Sequence, residues 1–183
     1  MAKNRSENTT GRQKVRQRIC LSAAILWMAL IFFFSARPAE VSTKDSNGIG
    51  LMIGELCIPD FSEWSEEEKI SFAQKIDHPV RKMAHATEYA VLGMFLVGSF
   101  MRDRKREEYK KAQGMGKIAG LSWGTGTLYA ATDEFHQLFV SGRSCQLSDV
   151  LLDSTGVLAG VGIIIGLLCV IQKGNRKIIV DDK

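Results

Sequence analysis

Most of the strongly apolar residues of this chain fall into four blocks of near twenty residues, and most of its charges lie between them. The blocks are "ICLSAAILWMALIFFFSA" over 19–36, "MAHATEYAVLGMFLVGSFM" over 83–101, "KIAGLSWGTGTLYAATDEFHQLFV" over 117–140 and "LSDVLLDSTGVLAGVGIIIGLLCVI" over 147–171. About 20 residues of helix cross the hydrocarbon core of a bilayer. Only a helix can do so singly, because a lipid-exposed backbone must satisfy its own hydrogen bonds. The pattern predicts an all-α integral membrane protein, a four-helix transmembrane bundle. A chain of 183 residues has room for one such domain, over 19–171, between a basic tail (1–18) and a second tail (172–183). A cleaved signal peptide fits the first block poorly: the run is long, rich in aromatic residues and without a small-x-small cleavage site. No repeat, low-complexity segment or aromatic-interleaved basic patch occurs, so a nucleic-acid partner is not expected.

Loop charge sets the orientation, since basic loops stay cytoplasmic. The segment before the first block carries six basic residues against Glu7, and the 102–116 loop carries six against three acidic ones. The long 37–82 loop reverses this with nine acidic and six basic residues, and the short turn before the fourth block holds only Arg143. Both termini are therefore expected in the cytoplasm, and the 37–82 loop and 141–146 turn outside. Within the outer loop, "SEEEKISFAQKI" places Glu68 three residues after Ser65, a capping-box signal. Ile70, Phe72, Ala73 and Ile76 follow as an apolar stripe. This predicts a short extracytoplasmic amphipathic helix, with Pro59 and Asp60 marking the turn before it.

The four cysteines form no Cys-x-x-Cys pair, which argues against a structural zinc site. Cys57 and Cys145 fall in loops on the same side, leaving two readings open: a disulfide or two free thiols. Gly156-x-x-x-Gly160 and Gly162-x-x-x-Gly166 have the spacing that lets helix backbones approach closely, although glycine is common in membrane helices generally.

The polar residues inside the blocks converge at one depth. At about 1.5 Å per residue, His85 lies about 22 Å from the inner end of its helix and Asp133 about 24 Å from the inner end of its own. Lys82, His85 and Glu88 open the second span; Asp133, Glu134 and Gln137 close the third; Asp149 and Asp153 open the fourth. Arg81, His85 and Glu88 share one helical stripe, as do Asp133 with Gln137 and Asp149 with Asp153. Ionisable groups at such depth face the bundle interior or a wet cavity and pair there. The expectation is one outward-opening polar pocket, with Arg143 over it. The blander alternative is a set of structural ion pairs to Arg81, Lys82 and Arg143. His136 is the weakest member, with lipid or headgroups as its alternative surroundings.

"RKMAHATEYAVLG", "TDEFHQLFVSGRSCQLSDVLLDSTGVLAG" and "FFFSARPAEVS" together resemble the VanZ-like family of small membrane proteins, over roughly 19–171. The combined pattern is specific, while no single piece is. The family's polar positions fall here on Lys82, His85, Glu88, Asp133, Glu134, Gln137, Gly142, Arg143 and Asp149. Ser141 departs from the family, which commonly has proline there, and this puts the geometry of the turn in question. The resemblance implies a bacterial cytoplasmic membrane, wall chemistry at its outer face and, for the protein that names the family, low-level resistance to teicoplanin.

Two function classes follow. In the first, a non-enzymatic pocket binds a cell-envelope lipid headgroup or lipoglycopeptide, with Lys82 and Arg143 on phosphate and no cofactor. In the second, a membrane enzyme acts on a polyprenyl-phosphate or cell-wall lipid. Its acid–base pair would be Glu88–His85 or Asp133–His85, with a divalent metal on Asp133, Glu134 and Asp149 as an option. Neither a His-Glu-x-x-His zinc motif nor a Gly-x-Ser-x-Gly elbow is present, which favours the first class.

Overall fold

The architecture follows from where the apolar stretches end and what terminates each. The computed structural model describes residues 2–101 and 111–181, and the described chain is all-α, with five helices and one short 3-10 turn. Helix α1 (Ala2–Ser35) carries the basic tail straight into the first apolar block. It stops before Arg37-Pro38, since the residue preceding a proline is steered away from helical backbone. Helix α2 (Ala39–Cys57) begins at once, with Pro38 at its N-cap. The turn after α2 contains Asp60 in the left-handed region (φ 59°) and the 3-10 turn Phe61–Glu63. Helix α3 (Glu66–Phe100) starts with the capping box the sequence predicts: Ser65 accepts from the Glu68 backbone and Glu68 accepts from that of Ser65. The Ser65 backbone N–H and hydroxyl hold the Glu68 carboxyl below its ordinary pKa. Helices α4 (Lys111–Gln137) and α5 (Leu147–Asp181) complete the chain.

Two expectations need correction. The 37–82 segment is not a loop with one short helix: 39–57 is α2, and the amphipathic helix runs on without a break into the second apolar block as α3. Pro79 sits inside α3. Proline fixes a helical φ and removes one hydrogen bond, and here the turns on either side continue the helix regardless. Helix α2 escapes notice because Gly48, Gly50 and Gly54 lower its intrinsic helix preference. Packing supplies what propensity lacks. A Cβ at Gly50 would come within 3.2 Å of the Ala73 backbone, and Gly54 lies directly on the Phe61 ring. Helix α4 also starts earlier than expected, inside the 102–116 segment. Residues 102–110 of that basic segment lie outside the described residues.

Two helical stretches, Gly11–Ser35 and Leu147–Ile171, are long and apolar enough to cross a membrane, with mean hydropathy 2.0 and 2.4. Only 17% and 28% of their most apolar part is buried within the protein, so their apolar surface needs a cover that the described residues do not provide. The other two blocks are less apolar: His85 and Glu88 interrupt α3, and Lys117 with the glycines, serine and threonines of 114–127 dilutes α4 before Asp133 and Glu134 are reached.

Helix α3 is the centre of the packing and touches all four other helices, α5 most extensively. The core draws on α1 (Ala24, Ile31), α3 (Tyr89, Leu92, Leu96, Val97), α4 (Ala130) and α5 (Val157, Val161). Gly156 and Gly160 of α5 sit directly against the carbonyls of Ala86 and Ala90 on α3, and Gly93 of α3 sits against that of Val157. The first glycine pair is therefore a packing seam, whereas nothing approaches Gly162 or Gly166 within 4 Å. Trp27 donates to the Glu88 carbonyl (2.8 Å) and Tyr129 to that of Met28 (2.6 Å), tying α1 to α3 and α4. All four cysteines are free thiols, and Cys57 and Cys145 are exposed.

Candidate functional site

A cavity of about 150 Å³ opens where α4 ends and α5 begins, closed on its third side by the middle of α3. Its mouth is basic. His78 is exposed there, and Arg81 and Lys82 beside it are half-buried. Lys82 is ion-paired with Asp149 of α5, and Arg81 with Asp77 at 3.0 Å. Asp77 in turn accepts from Ser46, which fastens α2 to α3 just outside the cavity. The floor is acidic and amide-bearing. Glu134 (2% exposed), Gln137 (5%) and Asp153 (1%) line it. Glu134 accepts from the Gln146 backbone at 3.2 Å. Oδ2 of Asp153 has no hydrogen-bond partner among the described residues.

Arg143 forms the wall toward α1 and is more constrained than a lid. Its Nε donates to the Arg37 carbonyl (3.1 Å) and one terminal nitrogen to the Ser42 hydroxyl (2.7 Å). Longer contacts of 3.5 Å reach the Phe34 carbonyl and Oε1 of Gln137. Carbonyls at a helix C-terminus lack partners within the helix, and the guanidinium supplies them at the end of α1. Gly142 before it takes φ 73°, a left-handed backbone that suits glycine. The turn is therefore well defined with Ser141 in place of the family's proline, held also by the Ala39 amide donating to the Ser141 carbonyl (3.1 Å). Burial, then Arg81, lowers the Arg143 pKa, while Asp133, Glu134 and Glu88 raise it. A guanidinium remains charged under such conditions.

Seven of the nine predicted site residues come together on this cavity: Lys82, His85, Glu134, Gln137, Arg143, Asp149 and Asp153. A family model described as VanZ/LLP1 matches residues 20–170. The chain belongs to the VanZ/LLP1 family. The matched stretch holds every residue that lines the cavity. No curated protein matches this chain, and no solved structure matches it.

The other two predicted residues of this VanZ/LLP1 protein lie away from the cavity. Asp133 is buried (2% exposed) and accepts from the Ser35 hydroxyl at 2.7 Å, with Gln137 a further 3.5 Å donor. Glu88 is half-buried, with Oε2 shut off from solvent and unbonded among the described residues. His85 has Asp153 as its near carboxylate, Nδ1 to Oδ2 3.9 Å, rather than the Glu88 or Asp133 expected of an acid–base pair. The metal option finds no support either: among the described residues no three His, Cys, Asp or Glu side chains are grouped to hold an ion. His136 lies outside the site, its ring 4.4 Å from that of Phe32.

Sequence reasoning did not place Ser35, Ser42, Asp77 or Gln146 at the site. Ser35 and Ser42 lie at the start and end of "SARPAEVS", the part of the family pattern that had no assigned role. Their polar groups next to an X-Pro break were the available signal, because a break beside a membrane edge exposes carbonyls that need donors.

Proposed function

We propose that this VanZ/LLP1 protein crosses the bacterial cytoplasmic membrane four times and binds the phosphorylated headgroup of a cell-envelope lipid in an outward-facing pocket. Through that lipid it modifies susceptibility to glycopeptides such as teicoplanin. The observation that carries the reading is the basic mouth of the cavity, where His78, Arg81 and Lys82 stand over a half-open space. Phosphate oxygens are the acceptors such donors suit. Pockets for drug-sized ligands span roughly 300–1,000 Å³. The cavity's 150 Å³ favours a headgroup over a whole lipoglycopeptide. Support for four spans comes from the outward side chains of the two more polar helices. Leu121 (56% exposed), Leu128 (68%) and Phe135 (61%) form one seven-residue-spaced stripe on α4, and Met83 on α3 is 62% exposed.

Topology is tested with single-cysteine versions and an impermeant thiol reagent in intact cells. Retained Cys57 or Cys145 should label from outside, and a Gln113→Cys version should not. Labelling at 113 would leave only α1 and α5 as spans and would undo the four-span reading.

Function is tested by glycopeptide susceptibility of a deletion strain carrying each variant. Lys82→Gln is expected to reproduce the deletion, and Lys75→Gln to behave as wild type. A second reading, a membrane enzyme acting on a polyprenyl-phosphate or wall lipid, draws on His85 standing beside the buried Asp153. A base predicts all-or-none loss for His85→Gln at unchanged lipid binding. A binding site predicts losses that follow affinity.

A further inference from the structure

We propose that the N-terminal end of α1 binds anionic phospholipids of the leaflet it enters, with one lipid phosphate at each of two pairs of cations. That this leaflet is the cytoplasmic one rests on the four-span reading. The site itself needs only α1 to span.

Residues 12–20 sort onto distinct sides of the helix. Gln17 donates to the Ser99 carbonyl (2.8 Å) and Cys20 lies against Gly98, so this side faces the end of α3. Arg12 and Arg16 are spaced i, i+4, as are Lys14 and Arg18, and residues at that spacing share a side. The helical period sets the two pairs on opposite flanks, with Val15 and Ile19 between them and turned away from α3. All four cations are exposed, and none is ion-paired among the described residues. Val15 is 56% exposed and Ile19 63%. Leu26 and Phe33 continue their exposed side along the span in seven-residue steps.

This end of α1 therefore calls for two covers at once: anions at both flanks and an apolar partner along the ridge between them. A phospholipid brings both in one molecule. Its chain lies along Val15 and Ile19, and its phosphate meets a cation pair where the basic residues give way to the apolar block. Guanidinium and ammonium groups bind phosphate oxygens through charge-assisted hydrogen bonds. Their long stems lie on apolar surface while the heads reach the headgroup level. A helix with its side chains is about 10–12 Å across, so one phosphate cannot serve both flanks. A zwitterionic lipid carries its own ammonium beside the phosphate, so the preference is for lipids of net negative charge.

Such contacts exchange with the bilayer, so the test reads them in a membrane. The full-length protein, with its four native cysteines replaced by alanine, carries Ser22→Cys labelled with bimane. Ser22 is exposed one turn beyond Arg18. The protein is reconstituted in phosphatidylcholine vesicles, and quenching is compared for phosphatidylglycerol, phosphatidylethanolamine and phosphatidylcholine with brominated chains. Phosphatidylglycerol should reach the label at least about fivefold more favourably than phosphatidylcholine, the scale of one cation at an anionic surface. Phosphatidylethanolamine should match phosphatidylcholine. Arg12→Gln/Arg16→Gln and Lys14→Gln/Arg18→Gln should each cut the preference several-fold, as should about 1 M salt, where the screening length falls to about 3 Å. Equal quenching by phosphatidylglycerol and phosphatidylcholine in the parent protein would overturn the proposal. A preference that survives in both double variants would also overturn it, because other residues would then be the source. Vesicles hold the protein in both orientations, so the result is independent of topology. Thiol labelling at position 113 decides the leaflet separately.

Discussion

Arg143→Gln is expected to destabilise the protein by about 2–3 kcal/mol, the scale of losing hydrogen bonds from a charged donor and leaving their acceptors unmet. The guanidinium joins three elements at one point: the end of α1 through Arg37, the start of α2 through Ser42 and the end of α4 through Gln137. Glutamine keeps one donor group and cannot span these acceptors. Hydrogen exchange should rise over residues 37–46 before it rises in the core, since those amides depend on the junction. Arg143→Lys should rescue little, because an ammonium lacks the planar fork that serves divergent acceptors. Thermal unfolding of the purified protein measures the loss. An unchanged melting temperature would mean that α1 and α2 are held by other contacts and that Arg143 is free to serve a ligand alone.

Gly160→Leu should have a comparable effect, about 3 kcal/mol or more, at the upper end of overpacking costs. Any side chain there runs into the Ala90 carbonyl of α3, and a helix backbone cannot turn aside as a side chain can. The displacement would separate α3 from α5 and thereby Lys82 and His85 from Asp149 and Asp153. Gly162→Leu is the internal control. It lies two residues further along the same helix, with nothing within 4 Å, and should leave stability near that of the parent. The comparison is read from thermal unfolding and from the amount of folded protein recovered from membranes. Equal behaviour of the two variants would contradict the α3–α5 seam.

The glycine pairs show how far the sequence could be read. Both have the same spacing, and only the second helix's position tells which of them meets a backbone. Helical period likewise places His85 and Glu88 on one stripe and Asp149 and Asp153 on another. It says nothing about how the helices are rotated against each other, so it does not show that Asp153 comes within 3.9 Å of His85. Their common level along the bundle was legible, because it depends only on rise per residue and on where the apolar blocks stop. Seven of the residues chosen on that basis do line one cavity. The capping box at Ser65 and the turn at Asp60 were legible for the same local reason. Helix α2 was not, since its glycines are explained by Ala73 and Phe61, contacts that span a turn and half a hairpin. The role of Ser35 is similar: a hydroxyl at a helix end gains meaning only once Asp133, 98 residues away, is brought to 2.7 Å.

The claim that a phosphorylated headgroup occupies the mouth of this cavity is tested most directly by native mass spectrometry of the protein taken from its own membranes. Wild type should retain one phospholipid per chain. The Arg81→Gln/Lys82→Gln double variant should retain about tenfold less, as expected when charge-assisted contacts to phosphate are lost. Lys75→Gln, an exposed change on the same helix, should match wild type. Phospholipid retained equally by wild type and the double variant would show that lipid is held on the outer apolar faces alone, and would contradict the pocket as its site.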